Sequence, residues 1–211
     1  MSDKQAAFLI IENIAMLEEA NRLLQGELSK NVFAAIDKTI QTWAKKMDWD
    51  GAFEFWTEKD FYFGPKQWQP SSEQSEDWIG WFSIDAVNPD KEEWLTTLLA
   101  ARQGEIGFKF TVDYVLFPNV GKRAWRAFAS QQNHEHPEIE KAGFQFDPRE
   151  GSWFLPWKID AKRLAQAYVD DAIEDALGPL REALERIKDV DPTLATLVES
   201  AQHQFGVDRA C

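Results

Sequence analysis

Three groups of residues have the side chains for chemistry. His134-Glu135-His136-Pro137-Glu138 sets two imidazoles beside two carboxylates. Alternate residues of an extended segment share a face, so both rings would reach one ion. Helical metal ligands recur at i, i+4, which this is not. His203 is the only other histidine, so the segment reads as a polar surface loop and not as a metal site. The second group is Asp90, Glu105 and Lys109, the kinds of residue that hold a divalent metal and a water near a phosphate. Three residues separate the acid from the lysine, and Pro89-Asp90 reads as the first turn of a helix. A metal-dependent phosphodiesterase or nuclease is therefore the alternative function, not the leading one. The third group is basic: Arg102, Lys122, Arg123 and Arg126 around strand aromatics and Trp125. Aromatics flanked by positive charge can stack bases. The group is small, however, and a chain of net charge −13 repels a long phosphate backbone, so direct nucleic-acid binding is not expected.

Nucleophilic catalysis has less support. The single thiol is Cys211, and neither a G-x-S-x-G elbow nor a glycine-rich phosphate loop occurs. No catalytic residue, metal ligand set or cofactor is assigned.

Acid and tryptophan are concentrated in one stretch. Residues 51–100 hold ten acids and three bases, a balance of −7, whereas residues 101–130 balance at +3. Within the acidic stretch Gly64 to Asp77 reads as a long polar loop rich in Pro, Ser, Gln and Glu. Trp68 lies inside it, with Glu73, Glu76 and Asp77 following and Trp56 and Trp78 on either side. An exposed Trp beside carboxylates would anchor a basic protein, the acids steering the encounter. The competing reading folds the loop back and buries Trp68.

The elements that must position these residues follow from periodicity. Ile10, Ile14, Leu17, Asn21, Leu24 and Leu28 form a heptad seam with Asn21 in an a-like slot. After Gly26, Phe33, Ile36, Ile40, Trp43 and Met47 repeat the rule, which predicts a helical hairpin over residues 1–50. A polar residue in an apolar seam often fixes pairing, so residues 10–28 either form a homodimer contact or pack within the chain with Asn21 at the margin.

From about residue 51 the period becomes two. Strands are predicted at Phe53–Phe55, Phe61–Phe63, Trp78–Ala86 and Ile106–Leu116, the last long enough to bend. Phe144–Phe146 and Trp153–Trp157 form a final hairpin, with Pro156 better tolerated at an edge. Helices are predicted after Asn88-Pro89-Asp90, over 121–131, and from Asp160 onward. Gly178-Pro179 is expected to kink or divide that last helix, and Asp191-Pro192 to cap another.

This order predicts an α+β fold. Its aromatic-rich sheet has five or six strands, mainly antiparallel with mixed pairing open, flanked by the N-terminal hairpin and C-terminal helices. Residues 1–50, 51–160 and 161–211 form one structural domain, and ten Trp and fifteen Phe supply its core. No apolar run approaches the roughly 18 residues of a membrane span. Phe8–Ile11 lacks the basic flank and length of a signal peptide, and one cysteine allows no intrachain disulfide, so a cytoplasmic protein without membrane partners is expected. The leading function is an acidic regulatory module that binds a basic protein, with nucleic-acid mimicry as its extreme form. A small-ligand binder, with the aromatic sheet enclosing a pocket, is the other alternative.

Overall fold

The computed structural model describes residues 3–55, 61–69, 78–87, 95, 98–99 and 105–206. The chain opens with α1 (Asp3–Glu12) and α2 (Ile14–Leu23), then a π-helical turn (Leu24–Leu28) and α3 (Ser29–Lys46). Next come β1 (Trp49–Ala52), β2 (Tyr62–Pro65), β3 (Gly80–Val87) and β4 (Glu105–Val112). Helices α4 (Lys122–Glu135) and α5 (Pro137–Lys141) lead into β5 (Gln145–Asp147) and β6 (Ser152–Trp157). The chain closes with α6 (Ala161–Val169), α7 (Ile173–Ala176) and α8 (Gly178–Phe205).

The six strands form one sheet in the order β1-β2-β3-β4-β6-β5. Every pairing is antiparallel, so the mixed sheet left open by the sequence does not occur among the described strands. The fold is α+β, with helices at both ends of the chain. β4 is the backbone of the sheet, paired with β3 over its whole length and with β6 over Ile106–Phe110. Its alternation works as predicted: Ile106, Phe108, Phe110 and Val112 are all buried. It ends sooner than its apolar pattern suggests. The Asp113 carboxylate accepts from the Val115 amide and turns the chain into a 3-10 turn over Tyr114–Leu116.

The aromatic side chains form a row across the strands. Trp49 stacks on Phe82 at 5.8 Å, Phe82 on Phe63 at 5.5 Å, and Phe63 meets the edge of Phe108 at 5.5 Å. Phe110 and Trp153 carry the row onto β6. Trp43 of α3 meets Trp49 edge to face at 5.1 Å, which fastens the helix to the sheet. The hairpin from β5 to β6 turns through Gly151 at φ 71°, and its carbonyl accepts from the Trp125 indole of α4 at 3.1 Å.

Three expectations need correction. The first strand begins at Trp49, and Phe53 and Phe55 fall beyond its end. Pro156 lies in β6, an interior strand. β5 pairs only with Ser152–Phe154, so β6 has no β5 neighbour at Pro156. Gly178-Pro179 divides the helical run as expected: α7 ends at Ala176 and α8 starts at Gly178, with Pro179 in its first turn, where its missing N–H costs nothing. Asp191 caps no helix, because α8 runs on through Pro192. The helix predicted after Asn88 lies mostly outside the described residues, although Leu95 and Leu98 are helical and buried.

Pro192 within α8 leaves Asp191 in an awkward place. Its Oδ1 is buried with no hydrogen-bond partner among the described residues. Burial raises its pKa above the ordinary carboxylate value. The folded state therefore holds this proton more tightly than the unfolded state does. Stability is lost as pH rises from the ordinary carboxylate range through the raised value. Asp191→Asn should raise the thermal midpoint by a few degrees at neutral pH, and the gain should vanish in acid, where both states carry the proton. Phe63→Ala, by contrast, should cost about 3–5 kcal/mol in urea unfolding, because it empties the middle of the aromatic row.

Candidate functional site

Of the residues predicted to bind a partner, Trp56, Glu73, Glu76 and Asp77 lie outside the described residues. Trp68 and Trp78 are placed, and neither ring is available as an exposed anchor: 2% and 6% of their surfaces remain accessible. A 3-10 turn over Lys66–Trp68 swings Trp68 back onto the sheet, where it meets Phe110 at 5.4 Å. The Ile79 amide donates to the Trp68 carbonyl at 2.8 Å and fixes that return. Trp78 packs on Tyr62 at 5.7 Å. An indole that reaches apolar neighbours gains more from burial than the loop loses in freedom, so the fold-back reading of Trp68 holds.

The other constellations are also dispersed. His134 and Glu135 end α4, and Pro137 begins α5, so the two imidazoles do not lie on one extended face. The His136 Nδ1 instead meets the Glu138 carboxylate at 3.1 Å, which also accepts from Thr193 of α8. A backbone N–H and these contacts hold Glu138 below the usual carboxylate range. Lys109 pairs with Asp85 on the neighbouring strand at 3.1 Å, and Asp90 lies outside the described residues. Among the described residues no three His, Cys, Asp or Glu side chains gather closely enough to share a metal ion. Lys122 of the basic group is paired with Glu150 at 3.0 Å. The inward aromatic face is filled by its own rings, Phe63, Phe82, Phe108 and Phe110 being fully buried. An open groove of about 310 Å³ lies between α3, α7 and α8, with Trp43 and Leu184 in its wall and Lys38, Lys46, Glu174 and Arg181 around it.

The exposed apolar surface is elsewhere. Eleven large hydrophobic side chains are exposed among the described residues, and nine of them lie between Phe8 and Leu24. Exposed apolar residues scattered singly need no explanation, but a contiguous set marks a contact site. Neither α1 nor α2 contains a buried residue. The seam read as half of a packed hairpin is therefore uncovered by the described residues.

Local chemistry builds this arm. Ala, Leu, Met and Glu dominate α2 and favour helix. At Asn13 the helix loosens (φ −115°, ψ 21°), yet its amide still donates to Leu9 and its carbonyl still accepts from Leu17. The register thus carries from α1 into α2. Arg22 grips Glu19 through two hydrogen bonds of 2.9 and 2.7 Å, and this contact lowers the Glu19 pKa. At Gly26 the backbone leaves helical values (φ −108°, ψ −119°), as suits a residue of poor helix propensity. The Ser29 hydroxyl donates to the Leu24 carbonyl across the kink. Beyond it Leu28, the last residue of the predicted seam, is half-buried against the core, while Ile10 through Leu24 stay exposed.

The exposed arc is wider than the predicted seam. Leu9, Met16 and Leu23 each precede a seam residue by one position, about 100° round the helix, and form a second stripe. The heptad pattern as predicted takes in only one seam. The seven-residue spacing of the second is also visible in the sequence, but its exposure is not.

No protein-family model matches the chain, and no curated protein or solved structure is similar to it at a significant level. Among the described residues no helix is long and apolar enough to cross a membrane.

Because the arm buries nothing among the described residues, its variants separate surface from core. Met16→Asp should leave the urea midpoint within about 0.5 kcal/mol of the parent. A loss of several kcal/mol would mean that the stripe is covered within the chain.

Proposed function

We propose that this protein is a protein-binding module that docks through the stripe of Leu9, Met16 and Leu23 on its N-terminal arm. The carrying observation is the run of large apolar side chains left exposed from Phe8 to Leu24, beside which only Val115 and Val169 are exposed large hydrophobics among the described residues. Such a surface in water gains by being covered. The chemistry of the partner follows from charge. Glu12, Glu18, Glu19 and Glu27 outnumber Arg22 along α2 and its flanks, and residues 51–100 add −7. A partner with an apolar groove rimmed by Lys and Arg fits this pattern. The acidic segment that carries Glu73, Glu76 and Asp77 would speed the encounter, and the apolar stripe would hold the complex.

The test is photo-crosslinking from position 16 in the native host, with the adduct identified by mass. A single basic protein, lost on Leu23→Asp and weakened by charge reversal at Glu73, Glu76 and Asp77, is the expected result. Adducts of this chain with itself alone, or none, would reject the reading.

A further inference from the structure

The arm carries more apolar surface than one partner stripe requires. We propose that its heptad seam, Ile10, Ile14, Leu17, Asn21 and Leu24, is the contact of a parallel, in-register homodimer. This inference rests on the arm being a docking surface and assigns the seam to a second copy of the chain.

The heptad lettering carries the argument. With Ile14 and Asn21 at a, Ile10, Leu17 and Leu24 fall at d. A β-branched residue at a with Leu at d favours two parallel strands, and a single Asn at a specifies their alignment. The orientation follows from the Asn21 amide. In an antiparallel pair a residues face d residues, and every d residue here is apolar: Ile10, Leu17 or Leu24. The amide would then lose water and gain no partner, which disfavours that arrangement. Only the parallel, in-register pair sets Asn21 against Asn21 of the second copy, where each amide can donate and accept.

Flanking charges permit this alignment. Across a parallel seam Asn13 faces Glu18 of the second copy and Ala20 faces Gln25, so no like charges meet. Glu19 and Arg22 satisfy each other on the outer face. The area is sufficient but small. A seam of five residues from each copy falls at the small end of specific interfaces, which bury about 1,200–2,000 Å² in all. The dimer should therefore dissociate on dilution. The interruption at Gly26 and the turn of Leu28 into the core end the seam before the folded body begins. Leu9, Met16 and Leu23 lie outside the seam, so dimerisation leaves the proposed partner stripe open.

Sedimentation equilibrium of the full chain over a hundredfold concentration range provides the test. The expected mass rises from 24.3 kDa toward twice that value. Leu17→Asp should hold it at the monomer with an unchanged thermal midpoint, and Asn21→Leu should shift it toward tighter or larger assemblies. Ile14→Cys in a Cys211→Ser background should oxidise to an interchain disulfide, because a positions face each other only in the parallel pair. A monomer at the highest concentration, a dimer indifferent to Leu17→Asp, an Asn21→Leu distribution identical to the parent, or an Ile14→Cys dimer whose introduced thiols stay reduced would overturn the proposal. A monomer that still crosslinks a foreign protein from position 16 would sink the dimer and spare the partner stripe. A dimer that crosslinks no foreign protein would do the reverse.

Discussion

Phe63 stands where most of the long-range structure converges. Its ring meets Trp43 of the long N-terminal helix, Trp49 of the edge strand, Phe82 and Phe108 of the central strands, and Phe53 and Phe61 on either side of the first strand connection. These rings come from distant parts of the chain and order a sheet in which Phe63 of β2 stands opposite Phe82 of β3. Ring packing across the strands adds to the ladder hydrogen bonds in holding this part of the sheet together. The alternating strands, the inward stripe of α3 and the return of Trp68 onto the sheet all serve this one layer.

That demand explains why Trp68 and the other buried tryptophans among the described residues are structural. A turn carrying Trp68 beside a sheet face already lined with Trp49, Phe82 and Phe110 finds apolar neighbours within reach. Leaving the ring in water as an anchor would forgo that burial. The same reasoning covers Trp125 and Trp153, whose indole N–H groups find Gly151 and Asn133 while their rings stay inside. Trp is favoured at interfaces because it is large and amphipathic, and a core with room for it uses the same properties.

The N-terminal arm follows the opposite logic. Its helices are held by local propensity and by bonds within the arm, such as those of Asn13 to Leu9 and Arg22 to Glu19. Its apolar side chains take no part in the aromatic layer. The interruption at Gly26 separates the two regimes: before it the apolar residues face outward, and after it Leu28, Val32, Phe33 and Ile36 turn toward the sheet. A body that folds without these side chains leaves them free for association, which is how the fold relates to the proposed function.

The sequence by itself determined the fold class, the mainly antiparallel strands, the long alternation of β4, the closing β5–β6 hairpin and the heptad spacing of the arm. These are local signals, carried by period, turn residues and caps such as Asp160, whose carboxylate accepts from the Arg163 amide. Tertiary structure decided what the pattern left open. A stripe at helical spacing looks the same whether a core covers it or water does, so Phe33 and Leu17 were indistinguishable until the neighbours were placed. A tryptophan in a polar stretch reads as a surface residue until its ring is found on the sheet, and a proline after an aspartate reads as a cap until the helix runs through it. Each depends on contacts between residues far apart in the chain, and local sequence pattern does not carry that information.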